Sequence, residues 1–410
     1  MVNVCIYFQV HQPFRLRKYS FFDIGYARDY FDEEKNKDIF NRVAKKCYLP
    51  ANKVILDLIN ETKGKFKVAY SISGTALEQM ERYNPDVLKS FQELARTGCV
   101  EFLSETYYHS LSSLYSKREF FEQINMHREK IKKLFGQTPR VFRNTELIYN
   151  NDIARFAEEL GYKAILAEGW KSILHWRSPN FIYKPVNTSR IKLLLKNYQL
   201  SDDIAFRFSE RSWTEWPLTA EKFASWINAI NGSGTNVNLF LDYETLGEHQ
   251  WEETGIFDFM RKMPLEVLKH KDNAFKLPSE LAELEPVGEI DSPHIVSWAD
   301  TERDLSAWTG NKMQQSALKE LYFLESEVMA TENPEIIEAW RKLQTSDHYY
   351  YMCTKYFNDG DVHKYFNPYE SPYECFINLM NVLNDLIIRT KSHNTNLSKS
   401  NKVLKLAGVN

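Results

Sequence analysis

Apolar runs alternate with polar segments along the first 290 residues, and they predict a repeating unit of strand and helix. The most informative run is NVNLFLDYETLGEHQW, residues 236–251. Apolar residues at 237 and 239–241 are typical of a buried parallel strand. The run stops at Asp242 and Glu244, followed by Gly247. We therefore interpret it as a strand that carries carboxylates to a site.

Six further runs predict strands, and helical patterns separate them. The predicted strands lie within residues 2–10, 66–73, 100–110, 141–151, 163–169 and 189–200. Helical spacing of apolar residues occupies 51–62, 116–136, 152–160 and 219–230, with Asn151 as a plausible N-cap for the third. About seven strands that alternate with helices predict an α/β barrel of parallel strands over residues 1–290.

The pattern changes beyond residue 290, where residues 305–330, 333–344 and 372–390 show long helical periodicity without credible strands. We expect residues 291–390 to form a helical bundle that completes the site. The tail, residues 391–410, is polar with little periodicity, so we expect it to be frayed or extended.

Two strands are predicted to deliver acids to the same place. Glu146 follows the short strand that opens the run VFRNTELIYNN and precedes a helix, while Asp242 ends the strand described above. Residues just past the carboxyl ends of barrel strands converge on one mouth. Two carboxyl groups there are what glycoside hydrolysis requires, one at the anomeric carbon and one at the leaving oxygen. The alternative is that these acids cap the following helices.

Other polar and aromatic residues fall near the same predicted mouth. His11 stands at the end of the first strand before Pro13, although a His satisfied by local backbone is the simpler alternative. The segment SPHIVSWADTERDLSAW mixes acids with Trp, which suits either a surface across the site or a linker anchored by two Trp side chains. The residues predicted to bind substrate are His11, His109, Asp203 in a loop, Glu244, His249, Trp298, Asp304 and Trp308.

Composition narrows the class of partner. The formal charge is −3 with a pI near 6.4 and no Lys/Arg block, so neither nucleic acid nor an anionic membrane is expected. Aromatic residues make up 14% of the chain, most of them expected in a core. Five scattered cysteines without a CxxC pair favour a reducing compartment. With no signal-like N-terminus, we expect a cytoplasmic protein. We also expect that it needs no metal or cofactor, because two carboxyl groups suffice for the chemistry described above.

Five stretches together resemble glycoside hydrolase family 57, the α-glucan-active family. They are HQP at 11–13, GCVEFLSETYYH at 98–109, RNTELIYNN at 143–151, DYETLGEHQW at 242–251 and SWADTERDLSAW at 297–308. They occur in the family's order and span most of the chain. The resemblance implies a (β/α)7 barrel followed by a helical bundle, and it is closest to the compact α-amylase-like branch.

The resemblance also implies roles for individual residues. Glu146 would be the nucleophile and Asp242 the general acid/base of a retaining reaction on α-1,4-glucans. His11, His109 and Glu244 match positions that line the family's substrate site. His249 stands where many members carry Trp, and Asp304 and Trp308 are spaced differently, so the substrate preference stays open.

Three alternatives are kept beside this hypothesis. The covalent intermediate of a retaining reaction would also serve a 4-α-glucanotransferase or a branching enzyme, although branching members of the family are generally longer. A metal-dependent hydrolase could use His11, His109 and Asp242 as ligands, although no HxxxH or HxxE spacing supports it. The third is a non-catalytic glucan-binding protein. Retention predicts carboxyl groups ~5–5.5 Å apart, with the pKa raised on Asp242.

Overall fold

The computed structural model describes residues 2–355 and 367–406, with the side chains of the last ten left out of the description. Ten strands are named in these residues: β1 (Val2–Val10), β2 (Val68–Ile72), β3 (Val100–Phe102), β4 (Val141–Arg143), β5 (Ala164–Glu168), β6 (Lys184–Pro185), β7 (Lys192–Lys196), β8 (Asn236–Asp242), β9 (Asn273–Phe275) and β10 (Glu289–Ile290). Each of the seven strands predicted from the sequence is present.

Helices follow most of these strands. They are α1 (Glu33–Val43), α2 (Leu49–Glu61), α3 (Gly74–Tyr83), α4 (Pro85–Arg96), α5 (Lys117–Phe135), α6 (Asn151–Glu159), α7 (Lys171–Leu174), α8 (Tyr198–Ala205), α9 (Ala220–Asn228), α10 (Ile256–Lys269), α11 (Pro278–Leu281), α12 (Ser306–Thr309), α13 (Lys312–Phe323), α14 (Glu325–Met329), α15 (Pro334–Lys342), α16 (Asp347–Tyr350) and α17 (Pro372–Leu406).

The strands pair in parallel, which confirms the predicted α/β class. One sheet has the order β3-β2-β1-β8, with β9 also paired to β1, and a second has the order β4-β5-β7. Strands β6 and β10 form a separate parallel pair. The described strands therefore form two main sheets and not one continuous hydrogen-bonded ring, so the structure supports the predicted barrel only in this coarser form.

Alternate residues of the strands face two different hydrophobic clusters. In β1, Val4, Ile6 and Phe8 join a large cluster that also contains the apolar faces of the surrounding helices. Cys5 and Tyr7 join a smaller cluster with residues from both main sheets. This two-sided burial explains why β1 has no exposed position and reads as an almost continuous apolar run.

Packing divides the chain into two compact units that interleave along the sequence. The first unit holds residues 1–12, 37–107 and 121–299, and the second holds 13–36, 108–120 and 300–410. The division of the chain into functional domains near residue 290 stays a prediction. The second compact unit also includes two early segments, residues 13–36 and 108–120. The first unit contains all the strands named above.

Buried polar contacts hold the second unit together around α17. The carboxylate of Asp385 accepts hydrogen bonds from the Tyr30 hydroxyl at 2.5 Å and from the Gly25 backbone N–H at 2.7 Å. Arg341 also donates from Nε to Glu119 Oε1 at 2.9 Å. Each contact joins an early segment of the chain to a late helix, so the two early segments belong to this unit structurally.

Four local predictions were wrong. Residues 202 and 203 lie in α8 and not in a loop, because Asn197 caps that helix by accepting from Leu200 N. Helix α6 is capped by Asn150, one residue before the predicted cap. The long pattern over 305–330 breaks into α12, α13 and α14. The tail continues α17 to Leu406, and Asn394 Nδ2 donates to the Glu327 carbonyl at 3.0 Å.

Candidate active site

A layer of polar side chains lies directly above the inner hydrophobic cluster of the first unit. In six strands, and in the residues directly after β3, the inward residue of that cluster is followed two positions later by a polar one, because side chains alternate with period two. The cluster residues are Tyr7, Ala69, Leu103, Val141, Leu166, Leu194 and Phe240. The corresponding polar residues are Gln9, Ser71, Glu105, Arg143, Glu168, Lys196 and Asp242, which we call the polar layer.

Members of the polar layer bond to one another. Gln9 Nε2 donates to Glu105 Oε1 at 3.1 Å, and Ser71 Oγ donates to Gln9 Oε1 at 2.7 Å. Arg143 Nη1 lies 3.9 Å from Glu105 Oε2, and both side chains are fully buried. Buried charged groups are stable only when they are paired or hydrogen-bonded. The polar layer therefore forms a network of mutually compensating charged and polar groups in the first unit.

Lys196 occupies the same layer at the end of β7. Its Nζ lies 3.6 Å from Glu168 Oε2 and donates to Asp202 Oδ1 at 3.1 Å. The strand pairing of β5 with β7 sets Glu168 opposite Lys196, so the first of these contacts follows directly from the register. Lys196 therefore places a buried positive charge at the carboxyl end of the second sheet.

Glu146 lies in a strained turn that follows β4. Its backbone adopts left-handed values, φ 57° and ψ 25°, and Leu147 also has a positive φ of 50°. A non-glycine residue in this region costs about 1–3 kcal/mol and is frequent at functional sites. Thr106 and Thr145 share a hydroxyl hydrogen bond of 2.7 Å that fixes the turn against the loop after β3.

Trp298 binds the Glu146 carboxylate directly. Its indole Nε1 donates to Glu146 Oε2 at 2.7 Å, and its backbone N–H donates to the Glu146 carbonyl at 3.2 Å. The Arg143 guanidinium lies 4.9 Å from the centre of the Trp298 ring, and the Lys196 ammonium lies 5.3 Å from it. Of the two Trp residues predicted in that segment, Trp298 is thus placed beside the candidate nucleophile.

Asp242 and Glu244 form the other acidic part of the site. Asp242 pairs with Gln9 in the β1–β8 register, and Glu244 lies two residues later in a short 3-10 turn. Burial, and next the charge of Asp242, raise the pKa of Glu244 to about 8. The Tyr48 hydroxyl donates to Glu244 Oε1, and Gln12 Nε2 donates to Tyr48 at 3.3 Å. Near neutral pH Glu244 is therefore mostly protonated.

His249 lies in the turn that follows Glu244. Its backbone N–H donates to the Glu244 carbonyl at 2.9 Å, and burial lowers the pKa of its imidazole to about 4. The turn requires glycine at 247, where φ is 103° and an added Cβ would come within 2.0 Å of the Lys46 carbonyl oxygen. His249 is consequently a neutral imidazole in a fixed turn at neutral pH.

His11 also lies in the first unit, one residue past β1. Its Nδ1 is 2.7 Å from Ser73 Oγ, and Ser73 caps α3 by accepting from Ala76 N at 3.3 Å. This partner is a side chain 62 residues away along the chain, so the simpler alternative of a local backbone partner stays untested. The imidazole is partly exposed, so it can still take part in binding.

Asp203 lies outside the polar layer. Its Oδ1 accepts from Arg207 Nε at 2.6 Å, and both residues line a separate groove of about 490 Å³ with Trp213 and Trp226. Burial raises the pKa of the Asp203 carboxyl. The preceding residue, Asp202, is the one that contacts Lys196. The contact with Lys196 is therefore made by Asp202, and substrate binding by Asp203 stays a prediction.

Three predicted residues belong to the second unit. His109 has a positive φ of 50°, and its carbonyl accepts from Ser346 N at 2.9 Å. Asp304 is exposed and accepts from Ser306 N at 2.8 Å at the start of α12. Trp308 is buried against Tyr350, with 6.3 Å between ring centres. Within this unit, Asp304 and Trp308 have the capping and anchoring contacts expected of structural residues.

Several polar-layer residues were not predicted as candidates: Gln9, Ser71, Glu105, Arg143, Glu168 and Lys196. A usable signal was present, since VFR, AILAE and KLLLK are apolar strands that each close on a charged residue. A charge at the buried end of such a strand requires a partner there. Counting these endings alongside Asp242 would have identified most of the layer.

Two features of the described residues bear on a metal site and on a membrane span. Across residues 2–355 and 367–406, no cluster of three or more His, Cys, Asp or Glu side chains has the arrangement of a metal site. Within the same residues, every helix is too short or too polar to cross a lipid bilayer.

Residues 5–295 match the family model of glycosyl hydrolase family 57. A putative alpha-amylase from Methanocaldococcus jannaschii is 46% identical over 395 residues, which is 92% of this chain and 82% of the relative. The motifs quoted from the sequence therefore belong to a similarity that extends over nearly the whole chain.

Solved structures show the same fold at lower identity. The family 57 branching enzyme of Thermococcus kodakaraensis has a TM-score of 0.64 at 14% identity and covers 96% of this chain and 94% of its own. The 4-alpha-glucanotransferase of Thermococcus litoralis has a TM-score of 0.65 at 17% identity, with 85% of this chain and 56% of its own covered. At these identities the comparison establishes the fold.

Proposed function

The chain belongs to glycosyl hydrolase family 57, and from that premise we propose that it cleaves α-1,4-glucosidic bonds with retention, as an α-amylase-type enzyme. The observation that carries the proposal is the placement of Glu146 and Asp242. Both follow strands of the first unit at their carboxyl ends, and both are partly exposed above otherwise buried charged groups. The name of the 46%-identical relative supports α-glucan as substrate.

In the proposed reaction, Asp242 donates a proton to the glycosidic oxygen while a carboxylate oxygen of Glu146 attacks the anomeric carbon. The C–O bond to the leaving sugar breaks, and a glycosyl ester forms on Glu146. Asp242 then removes a proton from water, which attacks the anomeric carbon and releases Glu146. Retention requires the two carboxyl groups to stand ~5–5.5 Å apart.

The fold proposed for this chemistry is a (β/α)7 barrel made of β1–β5, β7 and β8. Two contacts support closure between the main sheets: a parallel bridge between Ser104 and Phe142, and a backbone hydrogen bond of 2.9 Å from Asn197 N to the Asn238 carbonyl. We also propose that His11, Glu244 and His249 contact the sugar, whose neutral hydroxyls suit hydrogen-bonding side chains without a metal. His109, Asp304 and Trp308 remain candidates from their sequence motifs.

A 4-α-glucanotransferase is the second candidate, because transfer uses the same covalent intermediate and differs only in the acceptor. Branching would require α-1,6 products from the same intermediate. A reducing, cytoplasmic location is proposed from the five cysteines, all free and buried.

Product analysis separates these activities. Purified protein is incubated with maltoheptaose and with amylose, and products are followed by chromatography and proton NMR. Hydrolysis gives shorter α-anomeric products with a matching rise in reducing ends, transfer gives longer and shorter chains without that rise, and branching gives α-1,6 signals. Glu146→Gln is the inactive control, and β-anomeric products would contradict retention.

The same assay tests the metal-dependent alternative. We expect activity to survive prolonged treatment with EDTA, since two carboxyl groups supply the proposed chemistry. Loss of activity that Zn²⁺ restores would favour a metallohydrolase instead.

A further inference from the structure

The segment that carries Trp298 runs alongside the Glu146 turn and is hydrogen-bonded to it at three levels. Asn151 N donates to the Ser292 carbonyl at 3.0 Å, and Tyr149 and Val296 exchange backbone hydrogen bonds of 2.9 and 3.0 Å. At the third level, Trp298 N donates to the Glu146 carbonyl at 3.2 Å. This antiparallel pairing fixes where the indole of Trp298 stands relative to the carboxylate.

The hydrogen bond from the indole to the Glu146 carboxylate is short. The Nε1 to Oε2 distance of 2.7 Å is at the short end for an N–H donor to a charged acceptor. Glu146 itself is held in a left-handed backbone conformation, so its side chain leaves the turn in a direction that an ordinary helical or extended residue would not give. This hydrogen bond therefore restricts a side chain whose backbone is already constrained.

Two buried cations act on the same indole. The Arg143 guanidinium and the Lys196 ammonium lie 4.9 and 5.3 Å from its ring centre. The three guanidinium nitrogens of Arg143 are buried and make no hydrogen bond to any described group. A cation over an aromatic face draws electron density from the ring, which strengthens the ring N–H as a donor. The positive charge of both cations thus reaches Glu146 through Trp298.

We propose that Trp298 is a positioning residue for the nucleophile: polarised by Arg143 and Lys196, it holds the Glu146 carboxylate in one orientation and in the ionised state required for attack. The matched family region ends at residue 295, three residues before Trp298. This inference rests on the proposed role of Glu146. It adds that Trp298, which does not itself react, controls whether the Glu146 carboxylate is oriented and ionised for attack.

Several charged groups surround this arrangement and must be considered together. Glu105 neutralises part of the Arg143 charge from the loop after β3, and Glu168 and Asp202 neutralise part of the Lys196 charge from β5 and α8. Asp242 adds a carboxyl group at the end of β8, and Glu244 in the turn beyond it holds its proton near neutral pH. In such an acidic site, a carboxylate stays ionised only where a donor is aimed at it, which is the contribution of the Trp298 N–H.

The decisive variant is Trp298→Phe, which keeps an aromatic ring for the cations but removes the N–H. Trp340→Phe is the matched control, because the Nε1 of Trp340 also donates a hydrogen bond, to the Leu321 carbonyl at 2.8 Å, and Trp340 belongs to the second unit. We expect Trp298→Phe to lower kcat on maltoheptaose by roughly 10–100-fold with KM changed less than about threefold. We also expect the acidic limb of its kcat/KM profile to move to higher pH. Trp340→Phe should change stability without either effect.

Lys196→Gln provides a second variant that retains the N–H and removes one cation from the ring. Its acidic limb should move in the same direction by a smaller amount. If both Trp298→Phe and Lys196→Gln leave the acidic limb in place, or if Trp298→Phe raises KM and leaves kcat unchanged, the proposal is overturned.

Covalent trapping separates this inference from the assignment of Glu146. A 5-fluoro-α-glycosyl fluoride is incubated with each protein, so that attack by the nucleophile expels fluoride and leaves a slowly hydrolysed ester. Peptide mass spectrometry locates the ester and stopped samples give its rate of formation. Label elsewhere than Glu146 in the native protein would refute the proposed function. Label on Glu146 that forms equally fast in Trp298→Phe would refute only the positioning role.

Discussion

The two acidic regions of the first unit differ in the charges that surround them. Around Glu146 the structure places cations, with Arg143 and Lys196 near the ring of Trp298 and the indole N–H on the carboxylate. Around Asp242 it places another acid, Glu244, which Tyr48 contacts from its buried side. Cations favour the ionised form of a nearby carboxyl group, and a neighbouring carboxylate favours the protonated form.

This difference indicates how identical functional groups can take different parts in one reaction. A nucleophile must be ionised, and a general acid must carry a proton until the bond breaks. The cations near Trp298 suit the first role for Glu146. Beside Asp242, the group with the raised pKa is Glu244, which holds its proton near neutral pH, so the role of Asp242 as the general acid stays a prediction.

The largest expected effect comes from removing each carboxyl group in turn. Glu146→Ala should abolish activity on every glycoside, because no covalent intermediate can form. Asp242→Ala should lose ~10²–10⁴-fold on maltooligosaccharides but much less on aryl glycosides with activated leaving groups, which need no proton. Steady-state rates on maltoheptaose and on a dinitrophenyl maltoside measure both.

The comparison of leaving groups provides its own control, since a folding defect would lower both rates equally. Losses below about tenfold for both variants would show that these carboxyl groups are not the catalytic pair. Rescue of Glu146→Ala by the activated substrate would reverse the roles proposed for the two regions.

The next effect concerns the stability of the cationic region. Arg143→Met leaves Glu105 charged and fully buried without its cation, which should lower the free energy of unfolding by ~3–5 kcal/mol. Arg155→Met removes the same kind of side chain from an exposed pair with Asp152, so it should cost less than ~1 kcal/mol. Urea unfolding followed by circular dichroism gives both values. Equal costs would mean that the buried pair contributes no more than a surface pair.

A smaller effect is expected from the acidic region as a dependence on pH. Native Glu244 keeps its proton up to a pKa of about 8, whereas an unfolded glutamate releases it near 4.5. Between these values the native state binds more protons, so rising pH lowers the free energy of unfolding, by at most ~1.4 kcal/mol per pH unit for one group. Glu244→Gln should flatten that slope.

Urea midpoints at pH 5, 6, 7 and 8 would test this expectation against the native protein. An unchanged slope in Glu244→Gln would show that another group carries the dependence. A slope of opposite sign in the native protein would contradict the raised pKa of Glu244.

The smallest expected effect concerns His249. Burial lowers its pKa to about 4, so the imidazole is neutral throughout the range in which activity is expected. His249→Gln should therefore leave both limbs of the kcat/KM profile within about 0.3 pH units of their native positions, even if substrate binding weakens. A limb that shifts or disappears would make His249, and not a carboxyl group, the titrating residue.

The sequence predicted the main elements of the first unit because its strands carry strong patterns. Buried parallel strands give nearly continuous apolar runs, and Gly161 and Gly136 mark the ends of α6 and α5. The cap predicted at Asn151 was off by one residue, and the loop predicted at Asp203 is part of α8, since helix starts depend on which of several Asn or Asp side chains caps the first turn. Local patterns thus established which elements exist and left their edges open.

Some residues of the candidate site could likewise be predicted from local sequence, and others could not. Motif residues Glu146 and Asp242 could be chosen in advance because both acids follow predicted strands of one barrel and the order of their motifs matched a family. Trp298 could not be given a partner from the sequence, because it stands 152 residues from Glu146 along the chain. Arg143 and Lys196 close two strands of the second sheet as ordinary charged residues, and only the fold brings both of them near the ring of Trp298.

The amino-acid sequence by itself determined the strand pattern, the family and the two carboxyl groups on which the proposed reaction depends. Only the tertiary structure decided their surroundings: which cations lie near Glu146, which acid lies next to Asp242, and which aromatic side chain contacts the nucleophile. The physical reason is that secondary structure and motifs depend on neighbours within a few residues. Charge and hydrogen bonding at a site depend on distances in space, which are set by strand register and by packing between distant segments.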